Sequence, residues 1–273
     1  AKMALFPLHS WLPVAHPAAP AAVSALLSAL VIKASLFVLW RVFAAVGPIT
    51  DLGPALANTA AAAGAAGVLW GGFMALRRDR LKTVIAYSTV AQIGYLVLIL
   101  PLMLHGDPQD GGAGAAGWSG GVVLAVAPGL AKAAMFPVAG TLMVAYGSDR
   151  LSGLRGALAR MPLITATIGI AGVGLAGLPP TLGFVGKWQL LESSLAAGAW
   201  WWVSVLLVGG LLTFAYIAKM LRAMFSPPGD DPPPPHGLPP RTLSIVPFAL
   251  AAASVVIGVF PAPLVAIIEG AAP

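Results

Sequence analysis

Four lysines, Lys2, Lys33, Lys132 and Lys187, each stand alone inside an apolar run, whereas most other cations gather in short loops. A lysine at the centre of a membrane helix costs about 2.5–3.5 kcal/mol on insertion scales, so it needs water, a partner or its neutral state. Burial penalises only the charged form of an amine and a nearby carboxylate favours it, so a lysine whose surroundings move can load and release a proton. Such chemistry is proton transfer without a covalent step. Lys187 has the strongest context. It follows GLAGLPPTLGFVG, where Pro179 and Pro180 withhold backbone donors and interrupt any helix. In lipid, interrupted backbone is tolerated only where protein buries it or a water-filled cavity bathes it, which places Lys187 beside such a cavity. Pro7 and Pro128 mark two further expected helix breaks, near Lys2 and near Lys132.

Plainer readings weigh against these roles to different degrees. Snorkelling to an interface explains Lys187 poorly, because the proline break precedes it, and explains Lys33 less well still, since it lies near mid-span. For Lys132, a structural cation held by carbonyls that Pro128 frees stands level with a relay role. Glu192 stands level between a partner for Lys187 and an exposed carboxylate at a helix end. Tyr87, Ser88 and Gln92 read first as interhelical hydrogen-bond partners that can also support a water chain. His9 and His16 fall in a proline-rich loop and read as interfacial or helix-capping groups, with His9 a supporting candidate.

The elements that must position these groups are membrane helices. Over 273 residues, 59% are hydrophobic and 9% charged, and the mean hydropathy is +0.90, which leaves too few charges to cover a soluble core. The reading is an all-α polytopic membrane protein, a bundle of about seven full helices and one partial. The expected segments are 2–12 (partial), 21–46, 55–76, 83–104, 118–146, 163–195 with its break, 200–222 and 243–268, forming a single membrane domain over 1–273. The chain opens inside an apolar stretch without an initiator Met, so it reads as the C-terminal part of a longer subunit. A Gly-rich linker, 105–117, and a proline-rich loop, 227–240, separate some of the spans.

A net charge of +6 would suggest nucleic acid in a soluble protein, but here the cations report topology, and no nucleic-acid partner is expected. Arg77, Arg78, Arg80, Lys82, Arg150, Arg155, Arg160, Lys219, Arg222 and Arg241 fall at alternate loops that must share one side. The positive-inside rule makes that side cytoplasmic and puts the C-terminus outside, in a cell-membrane protein. With no cysteine and four scattered histidines, neither a thiolate nor a histidine metal site is spelled out, and no cofactor is expected. No nucleophile–base pair, carboxylate pair or phosphate loop supports a membrane enzyme.

Three segments in this order, PLHSWLPVAHPAAPAAVSALL, RRDRLKTVIAYSTVAQIGY and GLAGLPPTLGFVGKW, resemble the antiporter-like membrane subunits shared by Mrp-type cation/proton antiporters, respiratory complex I and membrane-bound hydrogenases. Within that group the chain looks most like the D-type Mrp subunit, while GFVGKW is also similar to the N-type subunit of complex I, and the loop after Lys2 fits an M-type subunit. The resemblance implies fourteen helices in inverted five-helix repeats, each with a broken helix. It places Lys2 on the broken seventh helix, Lys33 on the eighth and Lys187 on the broken twelfth, all on a proton path. The glutamate that pairs with the first lysine would lie on the fifth helix, before residue 1. It further implies partners in a multisubunit membrane complex, with protons and, in the Mrp case, Na⁺ as the transported ions. Two departures stand out. Val14 replaces the acidic residue usual after WLP, and Ala127 and Pro128 replace an Asn-His pair on the eleventh helix. A non-conducting scaffold subunit is the alternative that these departures raise.

Overall fold

The protein is described by a computed structural model that covers residues 2–105, 113–227 and 240–271. Its helices are α1 (Leu12–Ala18), α2 (Ala21–Ile49), α3 (Gly53–Arg77), α4 (Leu81–Leu102), α5 (Ala113–Tyr146), α6 (Pro162–Ala176), α7 (Leu182–Ala196), α8 (Trp200–Phe225), α9 (Thr242–Val259) and α10 (Ala262–Glu269). Among the described residues there is no strand beyond one isolated bridge between Arg80 and Arg150. Among the described residues six helices are long and apolar enough to cross a membrane, and α6 is a shorter apolar one. The expected all-α, multi-pass architecture is what the chain adopts. The proline-rich loop 227–240 lies largely outside the described residues, as do 106–112 of the expected linker 105–117, while its residues 113–117 belong to α5, which starts ahead of the expected span 118–146.

Helix α4 is the hub. Almost every residue from Leu81 to Leu102 is buried, and α1, α3, α5 and α8 all pack on it. Close approach to α3 rests on small residues: a Cβ on Gly64 would stand 2.7 Å from the Gly94 carbonyl oxygen. Where lipid tails are as apolar as leucine, such backbone proximity is the main source of packing between helices.

Buried apolar side chains form two separate clusters. One contains Ile32, Trp40, Val68, Val90, Tyr95, Ala127 and Leu182; the other contains Ala25, Ala75, Ile85, Ala131, Leu175 and Tyr216. On α4 the boundary falls between Ile85 and Val90, and on α5 between Ala127 and Ala131. Polar residues therefore occupy the layer between two greasy ones.

Several boundaries differ from those expected. Residues 2–11 form turns, not the partial helix 2–12, and a helix begins at Leu12 inside the stretch expected to be a loop. Pro13 takes the first helical turn, where its missing N–H is not needed. Pro7 accordingly lies in a turn and bends no helix. Pro128 does not break α5 either: the helix runs through both Pro128 and Pro137, each proline forfeiting one bond while packed neighbours hold the flanking turns. The expected last span, 243–268, is divided at Phe260, because the residue before Pro261 is disfavoured in the helical region. The break at Pro179 and Pro180, by contrast, falls where expected, between α6 and α7.

Basic loops meet at one end of the bundle. Leu81 N–H donates to the Asp149 carbonyl at 2.7 Å and Leu151 N–H to the Asp79 carbonyl at 2.8 Å, which joins the α3–α4 and α5–α6 loops. Lys219 near the end of α8 donates to the Leu76 and Arg78 carbonyls at 3.0 and 2.9 Å and to Asp79 Oδ1 at 2.7 Å. It thus satisfies acceptors that the end of α3 leaves open. The shared side inferred from charge alternation is in this way a physical junction.

Two outcomes follow from this packing. Gly64→Leu should lower the thermal midpoint of the detergent-solubilised protein, since overpacking costs about 1–3 kcal/mol; an unchanged midpoint would mean that α3 and α4 can separate freely. The Lys219 hydrogen bond and charge hold the Asp79 carboxyl below its ordinary range. Its contribution is then present above the ordinary carboxylate value of about 4 and disappears as pH falls below it. A melt series from pH 7 to pH 3 should show less acid loss in Lys219→Met than in wild type, and a steeper loss in the variant contradicts the assignment.

Candidate functional site

The polar layer is built from α4 outward. Ser88, Thr89 and Gln92 project from consecutive turns of α4. The Ile85 carbonyl accepts from Ser88 Oγ at 2.8 Å, Thr89 Oγ1 at 3.1 Å and Lys132 Nζ at 2.8 Å. Lys132 Nζ also donates to Ser88 Oγ. Its side chain is 1% exposed, so this cation rests on α4 oxygens in the centre of the bundle. The oxygens that hold it, the Ile85 carbonyl and the Ser88 hydroxyl, come from α4 and not from the turn that Pro128 disturbs, so a structural cation held by carbonyls freed at Pro128 is not what the structure contains.

Lys33 reaches the same layer from α2. Residues Leu27–Val31 form a π-helical turn, in which the Ile32 N–H reaches back five residues to the Leu27 carbonyl. The Ser28 carbonyl, passed over by Ile32, accepts Lys33 Nζ at 3.0 Å. Ser28 Oγ in turn lies 3.1 Å from Thr89 Oγ1. Lys33 is half-buried in an apolar cleft of about 620 Å³ between α2 and α5.

Lys187 lies on the far side of α4, against the break. Gly177 ends α6 with φ +77°, and the N–H groups of Gly177 and Leu178 both turn back to the Val173 carbonyl, the arrangement in which glycine closes a helix. The last carbonyls of α6 are left open. Lys187 Nζ takes those of Leu175 and Ala176 at 3.3 and 2.8 Å, at the negative end of the half-helix dipole. It also stands 4.7 Å over the Tyr95 ring. Gln92 Nε2 donates to the same Leu175 carbonyl at 3.3 Å.

Three of the four expected lysines therefore converge on one helix. Reading along α4, Lys33 is joined through Ser28 and Thr89, Lys132 through Ser88 and Ile85, and Lys187 through Gln92 and the Leu175 carbonyl. Between Lys132 and Lys187 the Gln92 Oε1 is buried with no hydrogen-bond partner, and the buried Tyr95 and Tyr216 hydroxyls gather around Thr213, with Tyr216 also beside Ser88. Buried polar atoms of this kind are served by water or by partners that move.

Other expected residues stand apart. Lys2 is exposed in the opening turns, which pack through Phe6 against Trp70 of α3. Glu192 is exposed and accepts from Trp188 Nε1 at 2.7 Å, so it is the helix-end carboxylate and not a partner of Lys187. Tyr87 faces the basic end, where its hydroxyl accepts from Arg78 at 3.3 Å. His9 is stacked on Phe6. His16, expected at an interface, is instead fully buried. The signal available for it was its place five residues after Trp11 in a proline-bounded helix, and apolar neighbours alone could not tell burial from exposure.

Fold and site define a multi-pass, all-α membrane protein with cations held on oxygens between two apolar layers. The chain belongs to the NADH:quinone oxidoreductase/Mrp antiporter, TM family, whose profile matches residues 1–213. It is 37% identical over 224 residues to the NADH-quinone oxidoreductase subunit N of Desulforudis audaxviator (strain MP104C), covering 81% of this chain and 42% of that protein. Among solved structures, it is similar to a chain of the membrane-bound sulfane sulfur reductase, an archaeal respiratory membrane complex, at 27% identity and a TM-score of 0.85 over 98% of this chain and 52% of that one. A chain of the Mrp complex from Dietzia sp. DQ12-45-1b shares the fold at 24% identity and a TM-score of 0.84, over 98% of this chain and 56% of that one. The chain spans about half the length of these relatives.

Gly177 offers a local test of the site. A Cβ there would run into the Lys187 stem, and the positive φ is strained for any L side chain. Gly177→Ala should cost about 1–2 kcal/mol from the left-handed backbone and displace the ammonium from the Leu175 and Ala176 carbonyls. A lower thermal midpoint of the solubilised protein is the expected readout; an unchanged midpoint would show that the break accepts a side chain at this position.

Proposed function

We propose that this chain conducts protons along α4 through Lys33, Lys132 and Lys187, as one membrane subunit of a larger complex. The observation that carries the reading is the set of hydrogen-bonding groups gathered on α4: Ser28, Thr89, Ile85 and Ser88 link Lys33 to Lys132, and Gln92, one turn further on, shares the Leu175 carbonyl with Lys187, so that three lysines otherwise isolated in apolar surroundings meet one helix. Each lysine rests on neutral oxygens and not on a fixed carboxylate. A fixed countercharge would hold the ammonium in its charged form, whereas neutral acceptors leave the charged and free-amine states close in energy. A carboxylate brought in or withdrawn by a neighbouring element can then drive each cycle. Lys2 joins the path through the family resemblance alone.

For coupling, the Mrp-type cation/proton antiporter is the reading favoured by the sequence motifs. A redox-driven complex is the second reading, and the 37% identity to an NADH-quinone oxidoreductase subunit N favours it. The basic end of the bundle is assigned to the cytoplasm on the positive-inside rule.

Vesicles carrying the intact parent complex test both levels. Lys132→Ala and Lys187→Ala should each lower proton flux on the order of 100-fold while the complex still assembles, and normal flux in both variants would sink the lysine path. Flux driven by a Na⁺ gradient in wild type identifies the antiporter. Flux driven by quinone reduction without a Na⁺ response identifies the redox-driven complex.

A further inference from the structure

The lysine row explains how protons cross the polar layer but not how they reach it from the basic end, which apolar side chains such as Leu81, Val84, Phe136 and Leu142 fill. His16 lies in that barrier. Its side chain is 0% exposed, and neither Nδ1 nor Nε2 has a hydrogen-bond partner. Leaving both nitrogens of an imidazole dry is costly, so a core position with no other purpose would favour an apolar residue.

Its place is fixed from four sides. The ring stacks on Phe136 at 4.7 Å between centroids, one turn beyond Lys132 on α5. The main chain is held by Ser24 Oγ of α2, which donates to the His16 carbonyl at 2.9 Å. Lys82, in the first turn of α4 at the basic end, donates to the Ala19 carbonyl at 3.1 Å, three residues beyond His16. Lys82 and Lys132 are the two lysines whose charge, when carried, bears on the imidazole. They belong to the two ends of the barrier, and one turn of α4 separates Lys82 from the Ile85 carbonyl that holds Lys132.

We propose that His16 is the proton relay between the basic end of the bundle and Lys132, resting on the lysine path above and extending it to the surface. A neutral imidazole accepts a proton at one ring nitrogen and releases the proton carried by the other. An excess proton, arriving as hydronium on the Lys82 side, binds the free ring nitrogen and leaves water behind; the proton on the other nitrogen passes to the free amine of Lys132, which becomes an ammonium, and a flip of the ring restores the starting tautomer. Water bridges each nitrogen to its neighbour in the working state. Lys82 positions the chain around Ala19 and transfers nothing.

The test uses the intact complex in vesicles, with wild type, His16→Gln, His16→Asn and Val14→Ala compared for proton flux and thermal midpoint. Glutamine and asparagine keep hydrogen-bonding capacity but cannot carry a proton, while Val14 is an exposed residue of the same short helix. Flux below about a tenth of wild type in an assembled His16 variant whose midpoint is unchanged, with Val14→Ala at wild-type flux, is the expected result. Flux above that level in either assembled variant overturns the relay. Failure of both variants to assemble, or flux and midpoint falling together, assigns His16 to packing and overturns it as well. Absence of proton flux in wild type defeats the lysine path itself, which separates the two claims.

Discussion

An ammonium in an apolar layer must find oxygens, and this constraint shapes the rest of the bundle. Regular helices offer little, because each interior carbonyl already accepts an N–H four residues on and has only its second lone pair to spare. The chain meets the demand in two ways. Irregular backbone serves two cations, a π-helical turn for Lys33 and a glycine-closed helix end for Lys187, while the spare capacity of the Ile85 carbonyl in regular α4, shared by two hydroxyls and a lysine, serves Lys132. Each irregularity lies within about a turn of the cation it serves or across one helix contact from it.

The divided apolar core follows from the same constraint. A continuous core through the centre would leave the lysines, Gln92 and the tyrosine hydroxyls without polar neighbours. Two clusters instead seal the layer from either end. Burial thus encloses as much as it stabilises: the two apolar clusters flank the polar groups that α4 carries between them. Helix α4 can fill this role because glycines let α3 approach it closely on one face while its Ser, Thr and Gln side chains occupy the others.

Much of this was legible in the residues. Composition gave the membrane class, the double proline gave the break, and isolation in apolar runs picked out Lys33, Lys132 and Lys187. Alternation of basic loops foretold a shared end that Lys219, Asp79 and Asp149 join physically. What escaped was long-range or local in ways that periodicity does not encode. Pro128 was read as a break, yet packing carries α5 through it. Glu192 was weighed as a lysine partner, but it is nearer in sequence than in function and bonds Trp188. The burial of His16 depends on α2, α4 and α5 closing around a proline-bounded turn, which no spacing in the loop reveals. The π-helical turn before Lys33 likewise has no signature in LSALV.

One feature of the lysine sites bears on how such a protein changes over generations. The acceptors for Lys33 and Lys187, and one of those for Lys132, are main-chain oxygens. No codon change can delete them. Drift at Ser28, Ile85, Leu175 or Ala176 alters the side chain and leaves the oxygen in place, provided that the backbone keeps its path. Selection is thereby concentrated on the few amines and on the residues that bend the chain, and the neighbours of each site are free to diverge. Replacing the amide that follows one of these carbonyls by an ester, which weakens the oxygen as an acceptor without changing a side chain, reaches a part of the protein that inheritance cannot.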